Sequence, residues 1–100
     1  MLVIVWEFEV KPERVEDFES LYREDGAWAE LFRASPGFVS TTPMRDLRNP
    51  RRFMVADRWT SEQTFEEFKH THEQPYRALD ERCQRLTERE VEIGRFDFPH

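Results

Sequence analysis

The side chains that can do acid–base chemistry fall in two places. His70 and His72 stand just before Glu73 and Pro75, and imidazole is the natural proton carrier near neutral pH. Spaced i and i+2, the two rings do not share a helix face, so a joint metal site is not indicated. One histidine at a pocket mouth is the functional reading; two solvated surface imidazoles is the plain one. The second place is Phe53-Met54-Val55-Ala56-Asp57-Arg58-Trp59. Strand alternation puts Asp57 on one face with Phe53, Val55 and Trp59, and Arg58 on the other with Met54 and Ala56. A carboxyl on so apolar a face is desolvated, which raises its pKa and suits it to act as a base. The plain alternative is a salt bridge to a neighbouring arginine. His72, Asp57 and Arg58 are therefore the candidate catalytic groups. Trp59, Phe65, Phe68, His70, Tyr76 and Met44 are candidates for lining a substrate pocket, with Tyr22 and Trp28 as further ones. Side chains of these types are more often core than site.

Strands and helices must position these groups. Leu2–Val10 reads as a strand with Ile4, Trp6, Phe8 and Val10 on one face and Val3, Val5, Glu7 and Glu9 on the other. Pro12 and the acidic Glu13, Glu16 and Asp17 then open a helical stretch over Glu13–Arg33. Gly26 lies inside it as a weak point, costing roughly 1 kcal/mol relative to alanine. Ser35-Pro36-Gly37 ends the stretch, and a polar second strand, Phe38–Arg45, contains Pro43, which marks an edge or a bulge. A turn at Asn49-Pro50 leads to the third strand, Phe53–Trp59. Thr60 with Gln63 reads as a capping box for a short helix anchored by Phe65 and Phe68. Pro75 interrupts that helix, and a second set of turns carries Tyr76, Leu79, Cys83 and Leu86 on one face. The last strand runs from about Glu90 to Phe98, with a bulge expected at Gly94. The order β-α-β-β-α-β in 100 residues is that of an α+β, ferredoxin-like split βαβ domain with an antiparallel four-stranded sheet.

Composition narrows the partners. One hundred residues make one domain over 1–100. The net charge is −6, which disfavours nucleic acid and anionic membranes as partners, and no apolar run reaches the length of a membrane span. Cys83 is the only cysteine, so no internal disulfide forms and a reducing cytoplasm is expected. Its place on the apolar stripe makes it a small core hydrophobe rather than a nucleophile. No Cys-x-x-Cys, glycine-rich phosphate loop or Gly-x-Ser-x-Gly motif is present, which argues against zinc ribbons, nucleotide enzymes and serine hydrolases.

Three junctions carry a resemblance: Val10-Lys11-Pro12, Ser35-Pro36-Gly37-Phe38, and Asp57-Arg58-Trp59-Thr60-Ser61. So spaced, they resemble the antibiotic biosynthesis monooxygenase domain family over nearly the whole chain. The resemblance implies a dimeric α+β barrel in which two ferredoxin-like sheets pack face to face with helices outside. It also implies a range of activities: cofactor-independent oxygenases of polycyclic aromatic or quinol substrates, haem-degrading monooxygenases, and domains with no known reaction. A tryptophan at the place of Trp59 is a signature of the family, chiefly structural. Of the likeness to the haem-degrading branch only an approximate histidine match survives, because Glu73-Gln74-Pro75 shifts the register. Trp6-Glu7-Phe8 stands where that branch has an asparagine, and Phe68 where it has a tryptophan.

A homodimer also follows from the pattern, because the second face of a lone sheet would leave contiguous apolar groups in water. The functional expectation is a cofactor-independent monooxygenase for a small aromatic, phenol or quinol-like molecule, needing no metal and no bound cofactor. The alternatives are a non-catalytic binding or structural dimer and an isomerase on the same fold. Cavity volume separates the first two. About 300 Å³ or more with a polar group inside favours a ligand, whereas a space packed solid by aromatic rings favours a structural role. The segment Phe65–Tyr76 is expected at the pocket mouth.

Overall fold

The computed structural model describes residues 1–99. Its elements follow as β1 (Leu2–Val10), a single 3₁₀ turn (Pro12–Arg14), α1 (Val15–Tyr22), α2 (Ala27–Phe32), β2 (Phe38–Arg45), β3 (Arg52–Trp59), α3 (Glu62–Thr71), α4 (Glu73–Gln84) and β4 (Thr87–Asp97). The four strands form one antiparallel sheet in the order β2-β3-β1-β4, the ferredoxin-like arrangement. All four helices lie against one face of it. The polar strand β2 is at an edge, as Pro43 predicts, and it is also bulged, with a register shift between Phe38 and Ser40.

Alternation fixes which side chains meet the helices. Ile4, Phe8 and Val10 of β1 and Phe53, Val55 and Trp59 of β3 are buried. They pack with Phe18, Tyr22, Trp28 and Phe32 of the first helical pair and Phe65, Phe68, Leu79 and Cys83 of the second. The core is mostly aromatic. Trp59 is fully buried and has Phe32, Phe38, Phe65 and Phe68 within 5.2–5.4 Å, centroid to centroid. Such rings bury large areas with few side chains, which is how a chain with 38% hydrophobic residues closes a core.

Four local expectations are corrected. The stretch Glu13–Arg33 is not one helix: it breaks after Tyr22 and restarts at Ala27, with Gly26 as the N-cap of α2. A Cβ on Gly26 would stand 2.6 Å from the Ser20 carbonyl oxygen and 2.7 Å from that of Leu21, so only glycine lets the chain turn back so tightly. The cap of α3 is Ser61, whose hydroxyl accepts from the Thr64 N–H at 3.1 Å, rather than Thr60. The break between α3 and α4 falls at His72, with Pro75 inside the first turn of α4; there its missing N–H costs no helical hydrogen bond. Strand β4 begins at Thr87, three residues earlier than expected. Its bulge lies at Ile93, between Gly94 opposite Val5 and Glu92 opposite Trp6.

The outer face of the sheet carries no helix. One end is apolar, with Val3, Val5, Ala56 and Phe96. The other is ionic. There Glu7 receives Arg52 at 2.6 Å and Arg89 at 3.1 Å, and Arg52 also reaches Asp46 at 3.0 Å. Phe96 and Met44 are about half exposed on this face. Among the described residues, no helix is long and apolar enough to cross a membrane.

Candidate active site

The cavity on the helix side of the sheet lies within one chain, between the middle of the sheet and the helices. Its walls are Trp6 and Phe8 from β1, Tyr22 and Trp28 from the first helical region, Phe32, Asp57 from β3, Phe65 from α3, Tyr76 and Asp80 from α4, and Glu90 from β4. It encloses about 30 Å³, room for a water or two and well short of the roughly 300 Å³ common for ligand pockets. By volume the space is packed, the outcome expected of a structural role; the three carboxyls that border it are the polar groups a ligand site would need.

Asp57 is the deepest of the three, 7% exposed. Its Oδ1 accepts from the Thr41 hydroxyl of the neighbouring edge strand at 2.5 Å. No arginine or lysine pairs with it among the described residues, so the salt bridge that was the plain alternative is not formed. Burial pushes its pKa from 3.8 up to about 6, against the opposing hydrogen bonds of Thr41 and the Trp6 indole. The carboxyl is thus largely ionised at neutral pH yet poorly solvated, the condition for a strong general base.

The surrounding groups shift the same way. Desolvation raises Glu90, helped by the charge of Asp80, and raises Asp80 itself. Tyr76 is held well above the usual phenol range by burial first and then by Asp80, Asp57 and Glu90 together. Behind the cavity wall Cys83 is buried, accepts from the Trp28 indole N–H at 3.1 Å, and has its thiol pushed up by desolvation. It sits there as the small core side chain its stripe predicts.

The structure separates the other sequence candidates. Phe65 and Tyr76 line the cavity. Trp59 and Phe68 pack in the core beside it. His72 is half-buried and its ring stacks on Phe68 at 4.8 Å, with its buried Nδ1 unpartnered among the described residues, and it does not border the cavity. His70 is exposed on a shallow groove of α3 and α4. Arg58 and Met44 are on the outer face, where the Arg58 guanidinium lies 4.8 Å from the centre of the Phe98 ring. The segment Phe65–Tyr76 contributes its two ends to the cavity and not its histidines.

Sequence reasoning did not single out Trp6, Phe8, Phe32, Asp80 or Glu90 as lining residues. A signal existed for three of them. Trp6 and Phe8 share the Ile4 face of β1, and Asp80 falls four residues after Tyr76 on the same helical stripe. Glu90 enters the cavity only through the register of β4 on β1, where it stands opposite Phe8.

The fold and this cavity define a ferredoxin-like α+β domain with a dehydrated carboxyl between sheet and helices. The family model for antibiotic biosynthesis monooxygenases matches residues 1–82, and the chain belongs to that family. Solved structures repeat the fold. A single-residue variant of SnoaB, a cofactor-independent oxygenase from Streptomyces nogalater, superposes with a TM-score of 0.80 at 21% identity, over 99% of this chain and 93% of that one. A conserved protein from Methanosarcina mazei gives 0.72 at 18% identity, over 95% and 89%. A monooxygenase-like protein from Nitrosomonas europaea gives 0.77 at 17%, over the whole of both chains. No individually curated protein matches the chain significantly.

Proposed function

We propose that this protein is a cofactor-independent monooxygenase of a small electron-rich aromatic molecule, a phenol or quinol, with Asp57 as its general base. The observation that carries the reading is the buried Asp57 carboxyl, without a cation beside it among the described residues, on the wall of an aromatic cavity in a chain of this family. Asp57 takes a proton from the bound substrate, and the electron pair stays on the ring. The electron-rich ring then reacts with O₂ to form a C–O bond. The hydroperoxide so formed loses water as its O–O bond breaks, so one oxygen atom stays in the product. The substrate supplies the electrons, and the chain supplies a dry aromatic site, a base and the Thr41 and Trp6 donors that orient it.

A ring needs more room than about 30 Å³. The wall best placed to yield is α4, twelve residues held by two buried side chains, Leu79 and Cys83, with Tyr76 half-buried at its start. Elements with few buried contacts open at low cost. In this reading Tyr76 swings out with the first turn of α4 as the ring enters.

Oxygen uptake tests the reaction. An electrode trace with an added naphthohydroquinone should show consumption above the uncatalysed rate, abolished in Asp57→Asn. Product formation without oxygen uptake would instead assign an isomerase. The same reading includes a homodimer formed through the uncovered sheet face. Phe96 is half exposed there, so Phe96→Glu should leave the fold intact and shift sedimentation from dimer to monomer. A wild-type monomer at micromolar concentration would remove the dimer.

A further inference from the structure

Resting on the proposal that this cavity is the substrate site, we infer that its substrate carries a positive charge: an aromatic ring bearing an ammonium group. Among the described residues ten line the cavity, seven aromatic and three acidic, and none of these is lysine, arginine or histidine. The carboxyls stand in two tiers. Asp57 is buried at the floor, while Asp80 and Glu90 are half-buried toward the rim. Arg95 lies near Tyr76 and opposes the shift of its phenol, and its guanidinium is already engaged by Glu62 and Glu66 at 2.8 Å and Glu92 at 3.3 Å. The outer groove that Tyr76 and Asp80 also border carries Lys69, His70 and Arg77; Lys69 is held by Glu66 at 3.5 Å and Arg77 by Glu73 at 2.6 Å, and among the described residues no ion pair reaches Asp80 or Glu90.

An uncharged or anionic ligand closing this space would strip water from Glu90 and from Asp80, whose Oδ2 accepts from the Gln84 side-chain amide at 3.0 Å, and would return no counter-charge, at a cost for each carboxylate. An ammonium group between them is compensated on both sides, and the faces of the cavity's remaining aromatic rings, Trp28 among them, add cation–π attraction. The same arrangement leaves the aromatic floor for the ring and Asp57 for the reacting proton, so charge recognition and chemistry are done by different carboxyls.

The test is a matched set of ligands titrated into the full chain by calorimetry: naphthylmethylamine, naphthylmethanol and naphthoate. The amine should bind at least about tenfold tighter than the alcohol, the scale of a desolvated cation–π contact, and the naphthoate weakest. The combined substitution Asp80→Asn with Glu90→Gln should bring the amine to within about twofold of the alcohol. Equal binding of amine and alcohol, tighter naphthoate, no binding of any of the three, or an amine preference that survives the double substitution would each overturn the inference. Oxygen uptake on the uncharged naphthohydroquinone without amine preference overturns it and leaves the oxygenase reading standing. Amine preference without oxygen uptake supports it and removes the oxygenase.

Discussion

The floor of the cavity at Asp57 and the α3–α4 junction at His72 hold the two candidate bases, and they solve opposite problems. Asp57 is dehydrated, faces a cavity and is oriented by Thr41 at 2.5 Å. His72 is wedged by its stack on Phe68, and its buried Nδ1 points at no partner among the described residues. A side chain that must exchange protons with a ligand needs space in front of it and a neighbour behind it. Asp57 has both; His72 has a ring to lean on and no cavity. The residue type best suited to proton transfer at neutral pH is therefore not the one the fold sets beside the cavity. Burial adjusts the carboxyl toward neutrality instead.

The largest expected effect breaks this comparison directly. Asp57→Asn keeps an acceptor for Thr41 and removes the proposed base, so turnover of a quinol substrate should fall by about 10²-fold or more while circular dichroism stays unchanged. A rate within threefold of wild type would move the base elsewhere.

The next effect is on stability against pH. The folded pKa of Asp57, about 6, lies above its ordinary 3.8, so the native state binds this proton more tightly than the unfolded chain. Stability from this group is full below about 4 and is lost as pH rises through about 6; the loss is on the order of 2–3 kcal/mol. Asp80 and Glu90 are raised too and add to the same trend. Denaturant melts of wild type should thus show a midpoint falling between pH 4 and pH 7, and Asp57→Asn should flatten that fall. Activity should move the other way, rising through about pH 6 as Asp57 ionises. A rate profile flat across that range would remove Asp57 from the reaction.

Thr41→Val sharpens the same point by a smaller step. It deletes the hydrogen bond that holds the Asp57 pKa down, so the midpoint of the rate profile should move to higher pH, with little loss of rate well above it. His72→Ala should be the mildest. It removes a ring stacked on Phe68 and should cost about 1 kcal/mol of stability, read as a lower melting midpoint, with turnover within threefold. A hundredfold loss in folded His72→Ala protein would reverse the comparison.

Much of the framework was legible because period-two and three-to-four spacings are local. The alternation Phe53, Val55, Asp57, Trp59 put the carboxyl inside before any partner was known. The stripe Tyr76, Leu79, Cys83 placed the thiol in the core. The helix break at Gly26 was legible only as a weakness, since the approach of the Ser20 and Leu21 carbonyls that demands glycine is a fact of how the chain folds back. Pro75 drew attention three residues past the true break at His72, because proline is tolerated in a first helical turn.

The sequence by itself determined the class of fold, the inward face of each strand and the membership of Asp57 in an apolar face, all consequences of side-chain periodicity along one backbone. Only the tertiary structure decided what Asp57 looks at. It set Thr41 behind the carboxyl through the β2–β3 register. It slid Glu90 opposite Phe8 through the irregularity between Val5 and Trp6 in the β1–β4 ladder. It turned Asp80 toward them from α4 and left His72 against Phe68. Register and helix placement are set by contacts between residues far apart in the chain, and a one-residue slip would carry Glu90 to the other face of the sheet.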